Sequence, residues 1–223
     1  MHGKPERPEI THTTSRLIVG VIAISLAALT GLLSGRDIDS ISASYHAGGL
    51  ARDIFVGFLF TISAFLFAYN GKSTTEMVLS KVAAVAGIGI AVFPCRCGRP
   101  SDDVPPIHGI SAAVMFIILT AFCYIFFRSA YKKGHRQARI RAGIYAICGL
   151  VIAGSILAIA INKLMGGPIE RMTYIGEAAG LVAFGIAWLT ASQMLPIVTS
   201  IEERISFSPF GERHIPESSA GNP

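Results

Sequence analysis

Ser42, Tyr45 and His46, followed closely by Arg52 and Asp53, crowd the start of an apolar run in the stretch SISASYHAGGLARDIFVGFLF, Ser40 to Phe60. Two further ionisable residues, His108 in VPPIHG and Glu177 in TYIGEAAGLVAFG, stand at the same kind of boundary. Imidazole nitrogen and carboxylate oxygen are donors that zinc takes, and a zinc ion with an open fourth position activates water. His46, His108 and Glu177 are therefore the candidate metal ligands. Asp53 is the candidate base or orienting group, and Ser42 the other candidate catalytic residue. Tyr45 and Arg52 are placed to supply surrounding hydrogen bonds. Such a site would make the protein a hydrolase acting on a lipid or another amphiphile.

No HExxH or paired CxxC spacing accompanies these residues, so the chemistry depends on their meeting in space. Each also has a plainer reading. Asp53 at a helix start suits the positive end of the helix dipole. Arg52 can lay its stem on apolar surface and keep its head among polar lipid groups. A histidine at a membrane boundary serves as a polar anchor. Glu177 differs, because an acid inside a spanning segment is costly unless it is paired; Arg52, His46 and His108 are its candidate partners. The same residues allow two other functions. One is an ion-paired network in a non-enzymatic protein that binds a lipid or small ligand, senses, or assists another membrane protein. The other is redox, with His46 and His108 as axial haem ligands.

The elements that must position these groups are read from composition and runs. The 223 residues are 52% hydrophobic and 15% charged, whereas a soluble domain carries about a quarter charged residues. The apolar residues fall in runs long enough for a hydrocarbon layer of about 30 Å. Six such runs are expected, at Leu17–Ser34, Ile54–Tyr69, Val78–Pro94, Ile107–Phe127, Ala142–Asn162 and Tyr174–Val198. The fold class is an all-α bundle of six transmembrane helices. The third run, VAAVAGIGIAVFP, is short and glycine-rich and should pack inside the bundle, since small residues allow close helix approach in lipid. Residues 1–16 and 199–223 read as terminal segments outside the membrane domain of 17–198. The first run, preceded by Arg16, is somewhat long for a cleaved leader and lacks an A-x-A site, so it reads as a retained helix.

The net charge of +5 is not arranged as a nucleic-acid surface; it sorts by side. Thirteen Lys and Arg fall on the face of the two termini and six on the other, which puts both termini in the cytoplasm of a bacterial inner-membrane protein. RSAYKKGHRQARIR, the loop after the fourth run, contributes most and is a second candidate for contact with acidic headgroups. Ser42, His46, Asp53, His108 and Glu177 then share the outer face. Cys95 and Cys97, in PCRCG, stand one residue apart and are poorly placed to pair with each other. GEAAG at Gly176–Gly180 has the GxxxG spacing of helix packing.

Taken together, SISASYH, RDIFVGFLF, FLFAYNG, IAVFP, IHGISAAVMF, YAICGL and GEAAGLVAFGIAWL resemble a group of uncharacterised bacterial six-helix membrane proteins. The resemblance covers about Ser40 to Leu189; it implies a fold and a membrane address and no activity. Ser42-x-x-Tyr45-His46 is also similar to the S-x-x-Y-H order of the hemolysin III, adiponectin receptor and alkaline ceramidase superfamily. That likeness implies Ser42 as a site serine, His46 as a zinc ligand and Asp53 as a site aspartate. The superfamily has seven helices and an H-x-x-x-H in the last; the sixth run here has no histidine.

Overall fold

A computed structural model describes the chain at residues 12–34, 38–97, 106–195 and 199. Its α-helices are α1 (His12–Leu33), the short α2 (Ser44–Ala47), α3 (Gly49–Ala68), α4 (Thr74–Val92), α5 (Ile107–Lys132), α6 (Arg136–Leu164) and α7 (Met172–Ala191), with a 3-10 turn at Ile41–Ala43. All but α2 are long and apolar enough to cross a membrane, so six spans are present among the described residues. The expected terminal segments lie largely outside the described residues.

The helices outrun the apolar stretches that announce them. α1 starts at His12 rather than Leu17, and α4 starts at Thr74 rather than Val78. An apolar run marks the hydrocarbon crossing, whereas a helix continues through the polar interface until its chain is capped or broken. Ser73 caps α4, its hydroxyl accepting from the Glu76 amide at 3.2 Å. This is half of a capping box. Between α2 and α3 the chain turns through Gly48 and Gly49, both at positive φ, a region open to glycine at little steric cost.

The six long helices form a closed ring. Each packs on its neighbour in sequence, and α7 closes the ring against α1. At that closure Gly20 and Gly185 face each other, and a Cβ on either would lie 2.8–2.9 Å from the other's carbonyl oxygen. Gly176 and Gly180 behave as their spacing implies. Gly176 receives Ile159 of α6, and Gly180 receives the Phe116 ring of α5. α4 and α7 are the most enclosed spans and α6 the least, in keeping with the small residues of α4.

Toward the end of the bundle that holds the start of α1 lies an aromatic layer. Trp188 is fully buried and packs against Phe122, Phe126, Phe184 and Tyr69 at centroid distances of 5.3 to 6.2 Å. Along α5 this layer separates Pro106–Phe116, which line one cavity, from Ser129–Lys133, which line another. At about 1.5 Å per residue the two ends of that helix are more than 30 Å apart.

Candidate functional site

The larger cavity, about 540 Å³, opens at the end of the bundle opposite the start of α1. It is within the size range of small-molecule sites, about 300–1,000 Å³. Ser42, His108, Lys163 and Glu177 give it a polar end, and Ala112, Phe116, Ile156 and Ile159 give it an apolar wall.

Glu177 lies one turn into α7 and is half-buried. Its partner is none of the three expected residues; it is Ser42. One carboxylate oxygen accepts from the Ser42 amide at 3.2 Å and the other from the Ser42 hydroxyl at 3.1 Å. The reason is local. The first amides of any helical turn lack an internal acceptor, and the 3-10 turn at Ile41–Ala43 aims one of them at α7. Ser40 holds this turn, its hydroxyl accepting from the Ala43 amide at 3.0 Å.

His108 is the second residue of α5 and is buried. Its Nδ1 lies 2.8 Å from the Phe93 carbonyl oxygen; a carbonyl only accepts, so Nδ1 carries the proton. Nε2 is left as an acceptor, buried and without a partner. The structure thus brings Ser42, His108 and Glu177 to one cavity.

His46, Asp53, Tyr45 and Arg52 do not join them. His46 Nε2 donates to the Cys95 carbonyl at 2.8 Å and ties α2 to the segment after α4. Asp53 is exposed and lies beyond the first turn of α3, because the helix begins at Gly49. Arg52 is exposed over the Tyr45 ring, 4.7 Å from its centroid. Among the described residues no group of three or more His, Cys, Asp and Glu side chains could hold a metal. The expected ligand set of His46, His108 and Glu177 therefore does not assemble among the described residues: His108 and Glu177 line the cavity and His46 does not.

The expectation for Cys95 and Cys97 is also corrected. They are joined by a disulfide, the chain bending after Pro94 to bring their Cα atoms to 5.2 Å, inside the usual span of about 4.4–6.8 Å. The Ser40 hydroxyl sits 3.2 Å from Cys97 Sγ, which fastens the rim of the cavity.

At the opposite end is a centre that the sequence reading missed. Arg16 of α1, buried, donates to the Tyr69 hydroxyl and to the Ala191 carbonyl at 3.1 Å. Tyr69 donates in turn to Glu76 Oε2 at 2.9 Å, and the Lys72 amide reaches the same oxygen at 3.1 Å. Arg16 and Glu76 are 3.9 Å apart. The guanidinium also faces the rings of Tyr69 and Phe126 at 5.2 and 5.1 Å. Burial pushes the Tyr69 hydroxyl up to about 12, with Arg16 pulling the other way. The signal was present in the sequence. Arg16 and Glu76 both border apolar runs, where an ionisable group calls for a partner; Arg16 was read only as a topology charge.

The ring of six apolar helices, with a polar-ended cavity at one end and a buried ion-pair centre at the other, defines a polytopic α-helical membrane protein. The chain belongs to the family described as protein of unknown function (DUF998), whose model matches residues 49–187. No curated protein and no solved structure matches it. Neither result connects the chain to the S-x-x-Y-H superfamily, and Ser42, Tyr45 and His46 lie ahead of the matched residues.

Proposed function

We propose that the chain is a multi-pass protein of the bacterial inner membrane, both termini cytoplasmic, that binds a small amphiphile in the cavity between α5, α6 and α7. The observation that carries this reading is the two-ended character of the cavity. The apolar wall suits an acyl or alkyl chain. The polar end carries two acceptors, the Glu177 carboxylate and His108 Nε2, beside the cations Arg96 and Lys163. A headgroup that donates hydrogen bonds, an amine or a hydroxyl, satisfies both, and a buried acceptor left unsatisfied is costly.

The test uses the full chain in lipid nanodiscs, with dodecylamine, dodecanol and dodecanoate competing against a dansylated dodecylamine. Amine and alcohol should compete better than the acid. Ala112→Phe, which fills the apolar wall, should weaken binding at least about tenfold, or 1.4 kcal/mol. Glu177→Gln should weaken the amine more than the alcohol. Unchanged binding in Ala112→Phe would remove the cavity as the site.

A hydrolytic reading rests on the Ser42–Glu177 pair: Glu177 would take the hydroxyl proton as Ser42 attacks an ester carbonyl, return it to the alcohol as the ester C–O bond breaks, and water would then release the acyl group from Ser42. Turnover of p-nitrophenyl laurate that disappears in Ser42→Ala, with dodecylamine binding retained, distinguishes it from binding alone.

A further inference from the structure

The segment that follows α4 makes three ties around the amphiphile cavity. The Phe93 carbonyl holds His108 Nδ1 at 2.8 Å, and the Cys95 carbonyl holds His46 Nε2 at 2.8 Å. Cys97 Sγ lies 3.2 Å from the Ser40 hydroxyl. A sulfur in a disulfide has no proton to give, so Ser40 donates. The same Ser40 oxygen accepts from the Ala43 amide at 3.0 Å and so holds the turn that offers the Ser42 amide and hydroxyl to Glu177. Both acceptors at the polar end of the cavity, His108 Nε2 and the Glu177 carboxylate, are therefore oriented through the segment that the Cys95–Cys97 disulfide closes.

That disulfide does little for the fold as a whole. It joins cysteines two positions apart, and the constraint a disulfide places on the unfolded chain grows with the length of the loop it closes. Opening it therefore leaves the helix ring in place. Cys95 and Cys97 both line the cavity. Cys95 is buried and Cys97 half-buried, so an incoming thiolate reaches Cys97 Sγ more readily than Cys95 Sγ. Access and the choice of sulfur attacked govern thiol–disulfide exchange. The bond thus has one approachable sulfur and one buried leaving group, set beside the groups that bind.

We propose that Cys95–Cys97 is a thiol–disulfide exchange site for a dithiol, and that its state sets the affinity of the amphiphile cavity. This is regulation of the site described under the proposed function, and it rests on that reading for its effect on binding. One thiolate of the dithiol attacks Cys97 Sγ; the Cys95–Cys97 bond breaks and Cys95 leaves as a thiolate. The second thiolate of the dithiol attacks its own sulfur in the mixed disulfide, and Cys97 leaves as a thiolate. Two electrons pass to the pair, the dithiol becomes a disulfide, and the two cysteines take up the two protons that it gave up. Sulfurs no longer bonded move apart, and Ser40 loses the acceptor fixed in front of it. The Ser42 and Ala43 amides are then held less firmly, and a ligand meets acceptors that it must itself order, which weakens binding.

The experiment compares the full chain in lipid nanodiscs before and after treatment with dithiothreitol, with thiols counted by maleimide labelling and the thermal midpoint measured in both states. Reduction should expose two further thiols in a chain that is still folded. Hydrogen exchange at the Ser42 and Ala43 amides should quicken at least about tenfold, and dansylated dodecylamine should bind at least about fivefold more weakly. Reoxidation should reverse both. Cys95→Ser combined with Cys97→Ser should behave as the reduced chain and ignore dithiothreitol. In Ser40→Ala, which cuts the link, both amides should exchange fast before reduction, and reduction should change their rate by less than about twofold. Exchange is read without ligand. If the chain binds dodecylamine in neither state, the amphiphile reading fails and the exchange measurement alone decides for or against the switch. The proposal is overturned if the folded chain keeps the pair oxidised in dithiothreitol, if the two amides exchange equally in both states, or if reduction leaves dodecylamine bound as tightly or more tightly.

Discussion

Tyr69→Phe tests the buried centre most directly, because it deletes one oxygen and leaves the ring in the aromatic layer. That oxygen accepts from Arg16 and donates to Glu76. Hydrogen bonds to charged groups contribute about 1.5–3 kcal/mol each. Part of the loss returns as Arg16 and Glu76, 3.9 Å apart, close on each other. A net cost of about 3 kcal/mol is expected. For a chain of this size each kcal/mol moves the thermal midpoint by about 2–4 °C, so the midpoint should fall by about 6–12 °C. The assay is thermal unfolding of the purified chain, followed by size-exclusion recovery. A double-mutant cycle with Arg16→Met should give a coupling of at least about 1 kcal/mol. A fall below about 2 °C would refute the reasoning, since the oxygen would then be no better placed in the fold than in the unfolded chain. The pH dependence has a definite sign. The folded hydroxyl ionises near 12 and the unfolded one near 10. The folded chain thus keeps a proton that the unfolded chain loses, and stability falls as pH rises through that window. Lys72, lowered from 10.5, acts in the opposite sense below its ordinary value. Tyr69→Phe should remove the decline that Tyr69 causes above pH 10 and leave the rise that Lys72 contributes below 10.5.

Two further outcomes are expected. Alkaline phosphatase fused after Cys97 should be active and fused after Gly134 inactive, following the thirteen-to-six division of Lys and Arg; the reverse pattern would invert the bundle. Gly185→Ala should lower the thermal midpoint by an amount equivalent to about 1–3 kcal/mol of overpacking. Its new Cβ would stand 2.5 Å from Ile24 Cγ1 and 2.8 Å from the Gly20 carbonyl oxygen, so a side chain and the backbone of α1 must both move; an unchanged midpoint would show that α1 and α7 do not press together there.

The division between sequence and tertiary structure follows the range of the interactions. Six helices, their approximate positions and their membrane setting were legible in the chain alone, because a hydrocarbon layer demands long apolar runs whatever their neighbours are. The packing role of Gly176 and Gly180 was legible too, since close helix approach needs small residues at that spacing. A shared face was readable for Ser42, His108 and Glu177, because alternating spans bring their loops to one side. Partnership was not. Glu177 pairs with Ser42, 135 positions away, only because a 3-10 turn aims an unfilled amide at α7. His46 and His108 each turn to a carbonyl of the segment after α4, and Asp53 faces outward because α3 begins several residues before its apolar run. Composition can say that a buried charge must have a partner. Which atom serves is decided by the ring closure that sets Arg16 of α1 against Tyr69, Glu76 and the end of α7.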